Sequence, residues 1–101
     1  MIADVTKLAD LENLVNQTIK TFGKIDILVN NAGIFVPKPF GDDDFIKGLD
    51  NTIDIDVRAA LQLTRLAVPH LKKTNGTIIN TASIFVEVPV SSNINDIYQL
   101  Y

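Results

Sequence analysis

The chain has 101 residues, of which 47% are hydrophobic, with a net charge of −3 and no cysteine. This length allows one small domain with a modest core, and the lack of cysteine excludes disulfides and thiolate-bound metals. The acidic balance, with no basic cluster larger than Lys72-Lys73, argues against nucleic acid and anionic membranes as partners. Because no basic, apolar leader and no apolar run of membrane-spanning length occur, we expect a cytoplasmic protein.

The first complete element is predicted to be an amphipathic helix over residues 7–22. Residues 1–5 are typical of the end of a strand, and Thr6 is the predicted N-cap of the helix. Gly23 follows the last apolar position and is predicted to be a left-handed C-terminal cap. The apolar residues recur every three or four positions, so one face of this helix should pack on a sheet. These positions are Leu8, Leu11, Leu14, Val15, Ile19 and Phe22.

A predicted buried strand runs directly into a polar loop. Residues 27–29 are apolar without alternation, which is typical of a parallel strand covered on both faces. Asn30 and Asn31 follow, and Ala32 and Gly33 are small enough for another backbone or a flat ligand to come close. Because ligands bind outside the carboxyl ends of the strands in open parallel sheets, this loop is the predicted binding edge.

Three consecutive aspartates, Asp42, Asp43 and Asp44, precede the next helix. Aspartates at a helix start cap free N–H groups and complement the helix dipole. The alternative is a divalent cation site, which is weaker because consecutive side chains on a helical turn point in different directions. We therefore predict a capping role and no metal site.

Residues 45–73 are predicted to form one long helix or two abutting helices. The apolar arc is wider than one stripe, which indicates burial on two sides. One side should face the sheet, and the other should face either a partner subunit or another helix of the same chain. Pro69 predicts a kink, and Asp54 and Arg58 are spaced as an ion pair. Asp56 falls on the face directed at the sheet, where a carboxylate is costly unless it is paired, hydrogen-bonded or protonated.

A second complete strand is predicted over residues 77–81, after a turn at residues 74–76 that stops the helix. It should run parallel to the first strand because a helical segment connects the two. Ser83 follows at its carboxyl end. A serine in such a place is commonly a turn former, so its position alone assigns it no chemistry.

Taken together, these stretches resemble the short-chain dehydrogenases/reductases. The resemblance rests on the Asn-Asn-Ala-Gly sequence at residues 30–33, the Asp-Val-Thr sequence at residues 4–6, the helix at residues 57–71 and the strand and serine at residues 76–83. It covers about residues 3–86 and leaves residues 87–101 as a divergent tail. It implies an α/β fold, namely a fragment of a doubly wound Rossmann-type parallel sheet with helical crossovers. Residues 1–101 would then be part of an NAD(P)-binding domain.

The resemblance also implies catalytic roles. Ser83 would donate a hydrogen bond to the carbonyl oxygen of a small-molecule alcohol or carbonyl substrate. Tyr98 is a late candidate for the proton donor, whose lysine partner would be residue 102, and no lysine follows Lys73. Asp56 stands where the family usually has an asparagine that holds a water linking the catalytic lysine to solvent. Because an ionised carboxylate only accepts hydrogen bonds, this relay would need rearrangement or a protonated Asp56.

Cofactor and partner roles follow from the same resemblance. Asp4 would accept from the adenine amino group of NAD or NADP, with Val5 beside it. The alternative is that Asp4 only favours the positive end of the helix. The residues that would line the cofactor further along the chain are Asn30, Asn31, Ala32 and Gly33. The long helix over residues 45–73 commonly serves a dimer interface in the family, which implies a possible homo-oligomer.

Two expected motifs of the family do not occur in these 101 residues: a glycine-rich phosphate-binding turn and a Tyr-x-x-x-Lys pair. We therefore expect an NAD(P)-dependent oxidoreductase of alcohols or carbonyls by resemblance, inactive as this fragment. One alternative is a non-enzymatic truncated module that associates through helix 45–73 with a full-length relative, and another is a copy with no function of its own. Unpaired sheet edges and exposed apolar patches are expected in either case.

Overall fold

The structure of the chain is a computed structural model that describes residues 1–35 and 38–82. Its elements in chain order are α1 (Leu8–Phe22), β1 (Ile27–Asn30), α2 (Phe45–Thr52), a π-helical segment (Ile53–Arg58), α3 (Ala59–Thr74) and β2 (Thr77–Asn80). The two strands pair in parallel, with Ile27 beside Thr77 and Asn30 beside Asn80. The connection between them passes through α2 and α3, so the predicted α/β fold with a helical crossover is confirmed.

The C-terminal end of α1 forms as predicted, but its N-terminal end does not. Gly23 has φ +78° and donates its N–H to the Ile19 carbonyl at 2.8 Å, which confirms the left-handed cap. The prediction of Thr6 as N-cap is wrong, because the N-cap is Lys7 and no side chain caps the helix. The Thr6 hydroxyl instead donates to Asp4 Oδ1 at 2.7 Å, so the nearby carboxylate competes successfully for it.

The predicted long helix contains an interruption at a place that the sequence pattern does not mark. Between α2 and α3 the backbone forms a π-helical segment, in which the Ala59 N–H donates to the carbonyl of Asp54, five residues earlier. The Asp54–Arg58 ion pair is confirmed, with Nε and Oδ1 2.7 Å apart. In contrast, α3 continues through Pro69 to Thr74. The break in α-helical geometry therefore lies before Pro69 rather than at it.

The three aspartates before α2 build its entry turn. The Asp42 side chain accepts the Asp44 N–H at 2.8 Å, and the Asp42 carbonyl accepts the Phe45 N–H at 3.0 Å. Asp42 also lies 3.9 Å from Lys38 Nζ. The N-cap residue Asp44 makes no side-chain cap bond. The predicted contribution to the helix start thus comes from Asp42, which lies two residues before the N-cap.

The turn between α3 and β2 brings the two strands together. Asn75 has φ 55°, and the N–H groups of Asn75 and Gly76 both donate to the Leu71 carbonyl. A Cβ on Gly76 would lie 2.5 Å from the Asp26 carbonyl oxygen and 2.7 Å from Leu71 Cδ2. Only glycine therefore fits this junction without displacement. Because β2 starts directly beside Asp26, the carboxyl ends of both strands finish level with each other.

A small core holds β1 against the helices. Leu28 packs in one cluster with Ala67 and Leu71 of α3. On α1, Leu11 is fully buried and Val15 is 5% exposed. Ala67 is 1% exposed, so a small side chain allows close approach at the centre of α3. The face of α1 that was predicted to pack on the sheet packs instead against α3, so that prediction is wrong in its partner.

The sheet is covered on one face only in the part of the chain that the structure describes. Side chains alternate between faces along a strand, so Leu28 lies on the α3 side and its neighbours in the sequence lie on the other. The exposed residues of that second face are Ile27 (59%), Val29 (53%) and Ile79 (48%). The prediction that β1 is buried on both faces is therefore wrong for the described residues. The expectation of exposed apolar patches is confirmed.

Candidate functional site

Asn30 ties three elements together at the carboxyl edge of the sheet. Its Nδ2 donates to Thr64 Oγ1 on α3 at 3.0 Å and to Asn80 Oδ1 at the end of β2 at 2.9 Å. These bonds fix the end of β1 and orient the amide. Asn30 Oδ1 is buried and has no protein hydrogen-bond partner in the described part of the chain. This edge thus retains one buried acceptor that favours a donor from outside.

The loop after β1 is held against the π-helical segment by Asp56. The Ile34 N–H donates to Asp56 Oδ1 at 2.8 Å, and a Cβ on Gly33 would lie 3.4 Å from the same oxygen. A Cβ at position 33 would thus be in ordinary van der Waals contact with the carboxylate, which lies close to the loop backbone. Asn31, Ala32 and Gly33 are exposed, so a flat ligand could reach their backbone.

The environment predicted for Asp56 is wrong. The sequence pattern placed this carboxylate on the face buried against the sheet, whereas the residue is exposed. The carboxylate still reaches the strand-end loop, where the Ile34 N–H donates to it, but the described residues do not cover it. Asp56 is hydrogen-bonded by the Ile34 N–H, which a carboxylate can satisfy as well as an amide oxygen can.

Asp4 forms a compact turn before α1. Its Oδ1 accepts the Thr6 N–H at 3.0 Å and the Thr6 hydroxyl at 2.7 Å, and its Oδ2 lies 3.2 Å from Lys7 Nζ. The hydrogen bond from the Thr6 side chain, followed by those from the Thr6 backbone and from Lys7, holds the pKa of Asp4 below its usual value. The carboxylate is exposed and ionised, so it keeps accepting capacity for a further donor.

A small cavity joins these segments. It has a volume of about 40 Å³, enough for a water molecule but not for a nucleotide. Its walls come from the turn before α1, α1 itself, the end of β1 with the loop after it, the π-helical segment and α3. The lining residues are Val5, Leu11, Val29, Asn30, Asn31, Ala32, Ile55, Ala59, Ala60 and Leu63. The structure thus brings Val5 together with Asn30, Asn31 and Ala32, which the sequence nominated separately.

Comparison with known proteins identifies this arrangement. The sequence model of the family described as short chain dehydrogenase matches residues 1–95. The chain belongs to the short-chain dehydrogenase family. Members of this family are oxidoreductases, and the parallel strands and helical crossover described above are those of their Rossmann fold.

Several family members are similar to the chain in sequence. L-fucose dehydrogenase of Bos taurus is 36% identical over 84 residues, which cover 83% of this chain and 31% of that protein. The 11-beta-hydroxysteroid dehydrogenase-like 4A of Arabidopsis thaliana is 41% identical over 80 residues, covering 79% of this chain and 27% of that protein. The chain thus spans less than a third of the length of these relatives.

Solved structures of the family superpose on the chain. A short-chain dehydrogenase/reductase of unknown function from Caenorhabditis elegans, crystallised with cofactor, has a TM-score of 0.76 at 37% identity. The match covers 96% of this chain and 36% of that one. A short-chain dehydrogenase/reductase from Saccharomyces cerevisiae has a TM-score of 0.80 at 34% identity, covering 87% of this chain and 35% of the other.

Two of the residues that the family resemblance nominated, Ser83 and Tyr98, lie outside the residues that the structure describes. Their catalytic roles stay predictions, as do the roles of the cofactor-lining residues. Within residues 1–35 and 38–82, no group of three or more metal-ligating side chains could hold an ion. In the same ranges, no helix has the length and apolar character to span a membrane.

Sequence reasoning missed three residues that shape this edge in the family fold. Thr64 and Asn80 orient Asn30, and Asp10 accepts the Asp4 N–H at 2.8 Å through its Oδ2. Asn80 carried a usable signal, because it is a polar residue that ends an apolar strand, as Asn30 does. Thr64 carried none, since it lies in the broad apolar arc of the helix.

Proposed function

We propose that the chain is the central part of an NAD(P)-dependent oxidoreductase that acts on alcohol or carbonyl groups of small molecules. The observation that carries this proposal is the gathering of Val5 and the Asn30–Ala32 loop around one cavity at the carboxyl edge of a parallel sheet. The C. elegans relative with cofactor supports it, because that structure shares this part of the fold.

The residues present fit part of a dinucleotide. The exposed backbone of the loop offers hydrogen-bonding groups, and Asp4 Oδ2 can accept from the adenine amino group. A pyrophosphate has no fitting glycine-rich turn among the 101 residues. We infer that its site is supplied by further sequence in the active protein.

Each residue would have a defined task in the reaction. The bound cofactor would exchange a hydride with the substrate carbon. Ser83 would donate a hydrogen bond to the substrate oxygen and stabilise the charge that develops on it. Tyr98 would pass a proton to or from that oxygen. Asp56, through the Ile34 N–H, would keep the strand-end loop in place beside the cofactor.

We infer that the 101 residues by themselves have no dehydrogenase activity, because they hold neither a phosphate-binding turn nor a Tyr-x-x-x-Lys pair. The alternative is a non-enzymatic module that associates with a full-length relative through α2 and α3. One observation favours this alternative: an exposed apolar stripe runs from α2 through the π-helical segment into α3. Its exposed members are Ile46 (61%), Leu49 (44%), Ile53 (40%), Val57 (50%) and Leu61 (67%).

The decisive experiment is the intact mass of the endogenous protein, followed by a turnover assay with NADH and NADPH on a panel of aldehydes and ketones. A mass more than twice 11.1 kDa with cofactor-dependent turnover is the expected result. A mass of 11.1 kDa without turnover would contradict the enzymatic proposal and favour the associating module. Turnover by a protein of 11.1 kDa would contradict the inference that these residues are inactive alone. Fractionation of the same cells tests the predicted cytoplasmic location.

A further inference from the structure

Asp10 reaches back from the first turn of α1 to hold the backbone of Asp4. Its Oδ2 accepts the Asp4 N–H at 2.8 Å, across six residues of sequence. Asp10 is partly buried, whereas Asp4 is exposed. A carboxylate that accepts a backbone N–H at this distance makes a strong hydrogen bond. The bond therefore fixes where the chain lies as it arrives at α1.

The other polar groups of Asp4 are fixed in the same turn. Its carbonyl accepts the Lys7 N–H at 3.0 Å, its Oδ1 accepts from Thr6, and its Oδ2 pairs with Lys7 Nζ. With the N–H and carbonyl of Asp4 both engaged, the next residue, Val5, has a set position in the wall of the cavity that Asn31 and Ala32 also line.

We propose that Asp10 is a positioning residue for the adenosine end of the cofactor, because it fixes Asp4 and, through it, Val5 at the cavity that the strand-end loop also lines. This inference rests on the proposed function and adds to it a residue that does not itself contact the cofactor. A competing explanation is that Asp10 serves only as a negative charge near the positive end of α1. The two explanations differ in what an uncharged acceptor at position 10 can do.

The test uses the protein expressed from its complete gene and compares Asp10→Ala, Asp10→Asn and the control Glu12→Ala. Glu12 is an exposed carboxylate near the same end of α1 and makes no hydrogen bond to the turn at Asp4. Calorimetry measures the binding of ADP-ribose, which carries the adenosine end, and of nicotinamide mononucleotide, which does not. Steady-state kinetics then give KM for the dinucleotide and kcat.

We expect the loss of affinity to differ between the two ligands and among the variants. Asp10→Ala should weaken ADP-ribose binding by about tenfold, the factor that corresponds to 1.4 kcal/mol. Nicotinamide mononucleotide binding should stay unchanged, and KM for the dinucleotide should rise at constant kcat. Asp10→Asn keeps an oxygen acceptor for the Asp4 N–H and should retain most of the affinity. Glu12→Ala should match the unsubstituted protein.

Other results would overturn the inference. Equal ADP-ribose affinity in Asp10→Ala and the unsubstituted protein would do so while leaving the proposed function intact. Loss by Asp10→Asn as large as that by Asp10→Ala would assign Asp10 to the helix dipole instead, and an equal loss of both ligands would show a general structural role. If Asp10→Ala does not fold, Asp10→Ser replaces it, since serine is too short to reach the Asp4 N–H. Failure of the unsubstituted protein to bind any of these ligands would overturn the proposed function itself.

Discussion

Single side chains from distant parts of the sequence hold the carboxyl end of β1. The Asn30 amide bonds to Thr64 and Asn80, which are 34 and 50 residues away. Asp56 reaches the Ile34 N–H across 22 residues. The sequence predicted that Asn30 would lie at a binding edge, because an amide that ends an apolar strand is visible locally. Its partner Thr64 could not be predicted, because that contact is set by how α3 crosses the strand end.

Asp56 allows a direct test of the bond that holds the strand-end loop. Asp56→Ala removes the acceptor for the Ile34 N–H and should lower the free energy of unfolding by about 0.5–1 kcal/mol, the lower part of the range for one hydrogen bond, because the site is exposed. Asp56→Asn keeps an acceptor oxygen and should lower it by much less. Chemical denaturation and amide hydrogen exchange at Ile34 measure both effects.

Asp50→Ala is the matched control for this series, because it removes the same carboxylate from an exposed place on α2. It should leave exchange at the Ile34 amide unchanged. Equal protection of that amide in Asp56→Ala and Asp50→Ala would show that the bond between Asp56 and Ile34 does not hold the loop in solution.

Helices and strands followed the sequence where local physics decides their form. Gly23 ends α1 because a left-handed cap suits glycine, and the position is readable from the last apolar residue. The prediction of Thr6 as the N-cap was wrong, because its hydroxyl donates a hydrogen bond to Asp4, two residues earlier. The π-helical segment was also missed, because counting 100° per residue presumes unbroken α-helical geometry. The burial predicted for Asp56 was wrong, since the residue is exposed.

The junction from α3 to β2 depends on one glycine. In Gly76→Ala, the new methyl group would meet the Asp26 carbonyl oxygen at 2.5 Å and Leu71 Cδ2 at 2.7 Å. The start of β2 must therefore move away from β1, and overpacking of this kind costs about 1–3 kcal/mol. We expect the denaturant midpoint to fall accordingly. A midpoint equal to that of the parent chain would mean that the junction relaxes freely.

Gly41→Ala provides the comparison for Gly76→Ala. A methyl group at position 41 meets no atom within 4 Å, and its φ is not in the left-handed region. The free energy of unfolding should change by no more than about 0.5 kcal/mol, as for surface substitutions in general. A loss as large as that of Gly76→Ala would trace the effect to glycine replacement as such rather than to the close approach of the strands.

The whole molecule carries more apolar surface than its own described elements cover. The sequence indicated a strand buried on both faces and a helix buried on two sides, which is the pattern of a central piece of a larger fold. In the structure, one face of β1 and one side of α2 and α3 remain open. The chain spans about a third of the length of its relatives. Local patterning thus indicated that the chain carries more apolar surface than a single small domain covers, and the described residues leave part of that surface exposed.

The open stripe on α2 and α3 leads to a prediction about association. Leu61 is 67% exposed, so Leu61→Asp should leave the fold of the single chain intact. If two chains pack through this stripe, the substitution removes a side chain worth about 1.5–3 kcal/mol on burial and places a charge in the contact. The dissociation constant measured by sedimentation equilibrium should therefore rise by more than tenfold.

Phe22→Asp distinguishes this contact from non-specific hydrophobic association, because Phe22 is 74% exposed at the end of α1 and lies off the stripe. It removes at least as much apolar surface, so non-specific association would weaken in both variants. Association through the stripe would weaken only in Leu61→Asp. If the unsubstituted chain remains monomeric at high concentration, the stripe does not pair two copies. The long helix would then have to be covered by other sequence of the same protein, as the enzymatic proposal requires.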